Sequence, residues 1–97
     1  MTKTQVRSRK KKIWEALQKA YELIEDAQSD LDDLKNEVEE TRDEIEPYEG
    51  CDDLTPEQEE RQEWMDDAYT YLDDAYDELD EVREHIESAQ SSLDEVD

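Results

Sequence analysis

The sequence predicts an all-α protein, an antiparallel two-helix coiled-coil hairpin. Three observations lead there. Apolar residues step by four and three through two long runs. The only glycine and both prolines fall together between those runs. Strand-type alternation is absent. With 97 residues, 33% of them hydrophobic, and no Phe, the chain lacks the apolar material for a sheet sandwich or a buried parallel sheet. A net charge of −22 would by itself point to disorder. The order of the residues overrides that reading.

The first run is Ile13, Leu17, Ala20, Ile24, Ala27, Leu31, Leu34, Val38, Thr41 and Ile45, with Thr41 its one polar member. Sustained 3-4 spacing over four heptads marks a helical seam. Pro47 disfavours helical geometry at the residue before it, so helix 1 is expected over about 8–46. The loop 47–55 contains Gly50 and ends at Thr55, a good N-cap. Pro56 suits the first helical position and Gln58 completes a capping box. Glu57, Glu59 and Glu60 suit the positive end of a helix dipole. The second run is Met65, Ala68, Leu72, Ala75, Leu79, Val82, Ile86, Ala89, Leu93 and Val96, so helix 2 is expected over about 56–96. A short loop makes the helices antiparallel neighbours. Centring the hairpin on Asp53 sets Leu17 against Ala89, Ala27 against Leu79 and Val38 against Ala68, large against small. A weak repeat accompanies this pattern: Glu22–Leu34 matches Glu84–Val96 at eight of thirteen positions.

Charge divides the chain into a basic segment, 1–12, and an acidic hairpin, 13–97. The first carries +6 and the second −28. With Leu17 and Leu72 at heptad position a and Ala20 and Ala75 at d, positions b and c should point outward. They carry Glu25-Asp26, Asp32-Asp33 and Glu39-Glu40 in helix 1, and Asp66-Asp67, Asp73-Asp74 and Asp80-Glu81 in helix 2. Like charges three or four residues apart cost a helix roughly 0.2–0.5 kcal/mol per pair. A hairpin built for stability alone would interleave lysines. Position e carries no acid at all. Trp14, Tyr21, Tyr69, Tyr76 and Arg83 stand out there, and this flank is expected to dock a partner, most simply a second copy in a four-helix bundle. The alternative is that these side chains only shield the edge of the seam.

Enzymatic chemistry is not expected. His85 and Cys51 are the only imidazole and thiol, and they fall on different elements. Solvated carboxylate rows offer no environment to push two pKa values apart. There is no phosphate-binding Gly-rich loop and no twelve-residue calcium loop, so no cofactor or metal is expected. No apolar run could span a membrane, and no leader is apparent. A lone cysteine fits a reducing, cytoplasmic setting. The acidic body should repel both nucleic acid and anionic membranes and attract basic surfaces.

Duplex DNA carries about one charge per 1.7 Å of axis. The 28 net negatives of residues 13–97, spread along helices of about 60 Å, come near one per 2 Å. In size, helical build and carboxylate rows (Glu25, Asp26, Asp32, Asp33, Glu39, Glu40, Asp66, Asp67, Asp73, Asp74, Asp80, Glu81) the chain resembles acidic DNA-mimic inhibitors, such as phage anti-restriction and anti-CRISPR proteins. That resemblance implies a basic nucleic-acid-binding protein as partner, in the host cytoplasm. It is a likeness of physical type, carried by no shared motif, and the basic Arg7–Lys12 stretch departs from it. The turn Tyr48-Glu49-Gly50 also resembles that of small secreted WXG-type hairpins. It has Tyr in place of Trp, and the Tyr76-x-x-x-Asp80 spacing falls in mid-helix. Two other accounts of the acids stand beside mimicry: a solubility coat on an adaptor coiled coil, and adaptation to high salt.

Overall fold

A computed structural model describes residues 1–96; Asp97, the last residue of the expected acidic segment, lies outside them. The protein is an all-α helical hairpin. Helix α1 spans Lys3–Asp43 and helix α2 spans Pro56–Asp94, packed against each other. Helix α1 starts five residues before the expected position 8, and the physical reason is a capping box. The Thr2 amide donates to Gln5 Oε1 at 2.8 Å, and the Gln5 amide donates to Thr2 Oγ1 at 3.2 Å. The basic segment is thus the first three turns of α1. The same Thr-x-x-Gln device opens α2 as expected, at 3.0 and 3.2 Å between Thr55 and Gln58.

Helix α1 ends at Asp43, three residues short of the expected 46, as its last turn tightens through Ile45 N to Arg42 O. The chain then reverses through a turn closed by the Cys51 amide on Tyr48 O at 2.9 Å. Gly50 holds φ +86° at the third position of that turn, the conformation that calls for glycine in a type II turn. Gln58 Nε2 donates to Glu46 O at 2.8 Å and ties the loop back to α2. Helix α2 stops at Asp94, two residues before the expected 96, where Val96 N bonds Leu93 O.

The hairpin divides into two compact units: an open-end unit, Met1–Gln28 with Glu78–Asp97, and a turn unit, Ser29–Asp77. Burial follows the same rule within each. Within the helices, from Lys10 onward, positions a and e are half-buried or buried, whereas d is often open. Ile13 and Val82 at d are exposed in the open-end unit, as is Leu34 in the turn unit. The seam expected at a and d therefore centres on a and e, a turn of about 50° about each helix axis. Thr41, the polar d residue, satisfies its hydroxyl on Glu37 O at 2.8 Å.

The most enclosed side chains are Gln28 at 3%, Gln90 at 8% and Ile86 at 9% exposure, all in the open-end unit. Thr55→Ala removes one cap and should cost about 1 kcal/mol. Thermal melts followed by circular dichroism check this; an unchanged midpoint would mean that the Gln58–Glu46 tie holds the turn without the cap.

Candidate functional site

The rotation of the seam decides what the acidic rows do. In the open-end unit the e column of α1 reaches the b column of α2. The Tyr21 hydroxyl donates to Glu87 Oε1 at 2.8 Å, and Gln28 Nε2 donates to Asp80 Oδ1 at 3.1 Å. Arg83 binds the same cluster. Its Nη1 donates to Gln28 Oε1 at 2.7 Å and to Asp80 Oδ1 at 3.2 Å, and its Nη2 donates to the Tyr21 hydroxyl at 3.0 Å. The guanidinium also lies 5.0 Å from the Tyr21 ring centroid. Tyr21 so placed raises the Arg83 pKa above its ordinary value. Gln90 Nε2 completes the edge by donating to Gln18 Oε1 at 3.1 Å. Among the described residues, Trp14 Nε1 and Arg83 Nε are enclosed without an acceptor.

The turn unit repeats the arrangement with cations. Lys35 Nζ meets Asp73 Oδ1 at 2.6 Å and stands 5.3 and 5.5 Å from the ring centroids of Tyr69 and Tyr76. The Lys35 side chain is 12% exposed. The hydrogen bond to Asp73 raises its pKa above 10.5, against the opposing effect of desolvation. Arg42 Nε bonds Asp66 Oδ1 at 2.8 Å, which raises the Arg42 pKa, and its Nη1 lies 3.5 Å from Asp43. Within each unit the paired residue numbers add to 108, close to the expected 106 for a hairpin centred on Asp53.

The rotation gives a structural setting to two sets of residues singled out in the sequence. Trp14, Tyr21, Tyr69, Tyr76 and Arg83 were expected to dock a partner, or else to shield the edge of the seam. They are half-buried and turned toward the helix–helix contact, because the a/e seam encloses the e column. The acids are missing from that column because it faces the other helix. The twelve paired carboxylates, expected to project as one class, separate into two. Asp66, Asp73 and Asp80 are bonded by Arg42, Lys35 and Gln28 and keep 54%, 47% and 53% of their side chains exposed. Glu25, Asp26, Asp32, Asp33, Glu39, Glu40, Asp67, Asp74 and Glu81 are exposed. On an a/e seam, position c points most directly away from the partner helix, which makes Asp26, Asp33, Glu40, Asp67, Asp74 and Glu81 the outermost carboxylates.

The units also differ in charge. The turn unit holds 21 acids and three bases, a net −18, and two of those bases are the inward Lys35 and Arg42. The open-end unit holds 12 acids and eight bases, a net −4. Its recess is lined by Arg7, Lys10, Lys11 and Trp14 beside Glu15, Asp94 and Val96. The Lys10 ammonium donates there to Val96 O, so the basic start of α1 lies beside the end of α2.

Cys51 is an exposed free thiol in the turn unit, and His85 is exposed in the open-end unit. Among the described residues no group of His, Cys, Asp and Glu is placed to hold a metal ion, and no helix is long and apolar enough to cross a membrane. Compared with protein-family models, with curated proteins and with solved structures, the chain shows no match.

The inward and outward carboxylates should respond oppositely to neutralisation. Asp73→Asn removes the partner of Lys35 and should lower stability by about 0.5–1 kcal/mol. Asp74→Asn removes only a repulsive neighbour and should leave the midpoint unchanged or raised. The Lys35 pKa is raised on folding, so the pair's contribution is whole below pH 10.5 and is lost as pH rises through the higher folded value. The gap between wild type and Asp73→Asn should accordingly hold from neutral pH to 10.5 and close above it. Melts across that range decide the matter.

Proposed function

We propose that the protein is a nucleic-acid mimic that occupies the basic groove of a DNA- or RNA-binding protein, such as a host-defence nuclease, and blocks it. The observation that carries this reading is the concentration of unneutralised charge. The turn unit presents a net −18, and its outward carboxylates Asp33, Glu40, Asp67 and Asp74 recur at heptad spacing, about 10 Å apart along each helix. Its inward cations are engaged with Asp73 and Asp66, on the seam side. A basic groove meeting this surface would exchange its condensed counterions for carboxylates. The association should therefore be fast, and it should weaken steeply as salt rises.

The partner is a protein and not nucleic acid itself, since the field of the turn unit repels phosphate. The activity needs no catalytic group, metal or cofactor; exclusion of the natural ligand suffices. A cytoplasmic site of action, in a phage-infected host if the chain is phage-encoded, follows from the class of target. In this reading the e column (Trp14, Tyr21, Tyr69, Tyr76, Arg83) keeps the helices in register and so holds the outward carboxylates at fixed spacing. A homodimer would double the acidic surface, and sedimentation at low and moderate salt would reveal it.

The test is a pulldown from host lysate at ~50 mM salt, eluted with and without excess duplex DNA. A mimic retains a nucleic-acid-binding protein that DNA displaces. Replacing Asp33, Glu40, Asp67 and Asp74 by Asn or Gln should abolish retention while the helical signal persists. If retained partners ignore the DNA, or the quadruple variant binds unchanged, the acids are a coat and the reading fails. A steep gain of helicity between low and molar salt would instead point to adaptation to brine.

A further inference from the structure

The seam that encloses the e column leaves the opposite edge bare. In the turn unit that edge is a groove lined by Leu34, Val38, Trp64, Ala68, Tyr71 and Leu72, with Asp67 at its margin. Trp64 is 65% exposed and Tyr71 is 72% exposed, although both are large aromatic residues. Single exposed apolar residues are ordinary, but two aromatics and an open Leu34 lining one groove form a contiguous patch, the mark of a contact surface. Val38 and Leu72, at position a, and Ala68 form its half-buried floor, whereas Leu34, Trp64 and Tyr71 stand open above it. The rungs at Lys35 and Arg42 lie on the a/e seam, which the d and g positions do not share.

We infer that this groove is a docking site for an amphipathic helix of another protein, one whose apolar stripe is bordered by lysine or arginine. The shape argues for a helix. On α2, Trp64, Ala68, Tyr71 and Leu72 follow the spacing i, i+4, i+7, i+8, and a groove between two helices accepts a third along its length. The charge argues for basic borders. Asp30, Asp33 and Glu37 flank Leu34 on α1, Asp67 and Asp74 flank Tyr71 on α2, and all five are exposed. Arg61, at the loop end, is the one base of the unit not engaged on the seam side, and it lines a separate recess with Glu44, Glu46 and Tyr48. A second copy is the less suitable occupant, because it would bring a unit of net −18 against another of −18. An anionic lipid surface meets the same repulsion. The inference goes beyond the mimicry reading and does not depend on it, since it rests on apolar exposure and not on the outward carboxylates alone.

The test uses the full chain and a synthetic helix of about 18 residues with a leucine stripe flanked by lysines. Two control peptides carry the same composition with the stripe scrambled, and the same stripe flanked by glutamates. Trp14 and Trp64 are the only tryptophans, one in each unit, so their indole N–H resonances report the two units separately. The striped basic peptide should shift the Trp64 resonance saturably, leave that of Trp14 in place, and bind about tenfold tighter than its scrambled isomer. Trp64→Ala and Tyr71→Ala, both at open positions, should each weaken it severalfold with helicity retained.

Equal binding of striped and scrambled peptides, or binding indifferent to Trp64→Ala, would overturn the proposal in favour of charge attraction alone. A Trp64 shift that grows with protein concentration before any peptide is added, with a matching rise in mass, would overturn it in favour of a second copy. Displacement by DNA has no part in this readout, so mimicry and groove docking stand or fall separately.

Discussion

The structure depends on a polar contact between its two helices. Gln28, the most enclosed side chain, is bound by Arg83 and binds Asp80, and Lys35 lies against two tyrosine rings and one carboxylate. Among the described residues only one hydrophobic side chain, Ile86, is buried to a comparable degree. Burial of apolar area alone fixes rotation weakly, because a helix face of alanines and leucines packs almost as well a few tens of degrees to either side. Buried amides and cations are less forgiving. A donor or acceptor left unmet costs about 1–3 kcal/mol, and of the polar atoms of this contact Arg83 Nε is one that stays unmet. Individually an exposed rung is worth about 0.2–1 kcal/mol. Their combined effect is to select one rotation over its neighbours, a role established for polar groups in other helical assemblies.

From that rotation two surfaces follow. On one edge the b acids of α2 are drawn in by Tyr21, Gln28, Lys35 and Arg42, which offsets some of the repulsion that such acidic helices generate. On the other edge the d residues are uncovered, and with them Trp64 and Tyr71. The c carboxylates point away from the seam that engages Lys35, Arg42 and Arg83. A single geometric choice thus accounts for an acidic row bonded from the other helix, a bare apolar groove and an outward acidic row.

The helices, the hairpin connection, the Thr55 cap and the approximate register were all legible in the sequence, because they rest on local chemistry and on a period that survives small rotations. The early start of α1 was legible too: Thr2-x-x-Gln5 has the spacing of Thr55-x-x-Gln58, although six bases in the first twelve residues oppose the positive end of a helix dipole. The rotation of the seam was harder to see. Periodicity identifies which residues share a face, and a, d and e are all non-acidic in this chain. The choice between a/d and a/e turns on whether Gln28 and Gln90 lie inside, and glutamine is ordinarily an exposed residue. One signal was present in the internal repeat, where Gln28 and Gln90 occupy equivalent places in an Ala-Gln-Ser triplet of each helix. The partition of Asp66, Asp73 and Asp80 from Asp67, Asp74 and Glu81 followed from the rotation and could not precede it.

The placement of the charge bears on why it is there. A coat that serves solubility needs net charge but no particular location. Adaptation to a salty solvent acts on every exposed surface alike. Neither requirement distinguishes the two units, yet one holds three bases among 21 acids and the other holds eight among 12. The open-end unit shows that bases are compatible with this helical sequence: Arg7, Lys10, Lys11 and Lys12 lie within the continuous helix α1. Their scarcity in the turn unit is therefore not a demand of folding, and the bases kept at Lys35 and Arg42 are those that the seam needs. What distinguishes the turn unit is the field it presents. A localised field of one sign acts on a localised recipient of the other, so the charge distribution argues for a basic partner more strongly than the net charge of the chain does.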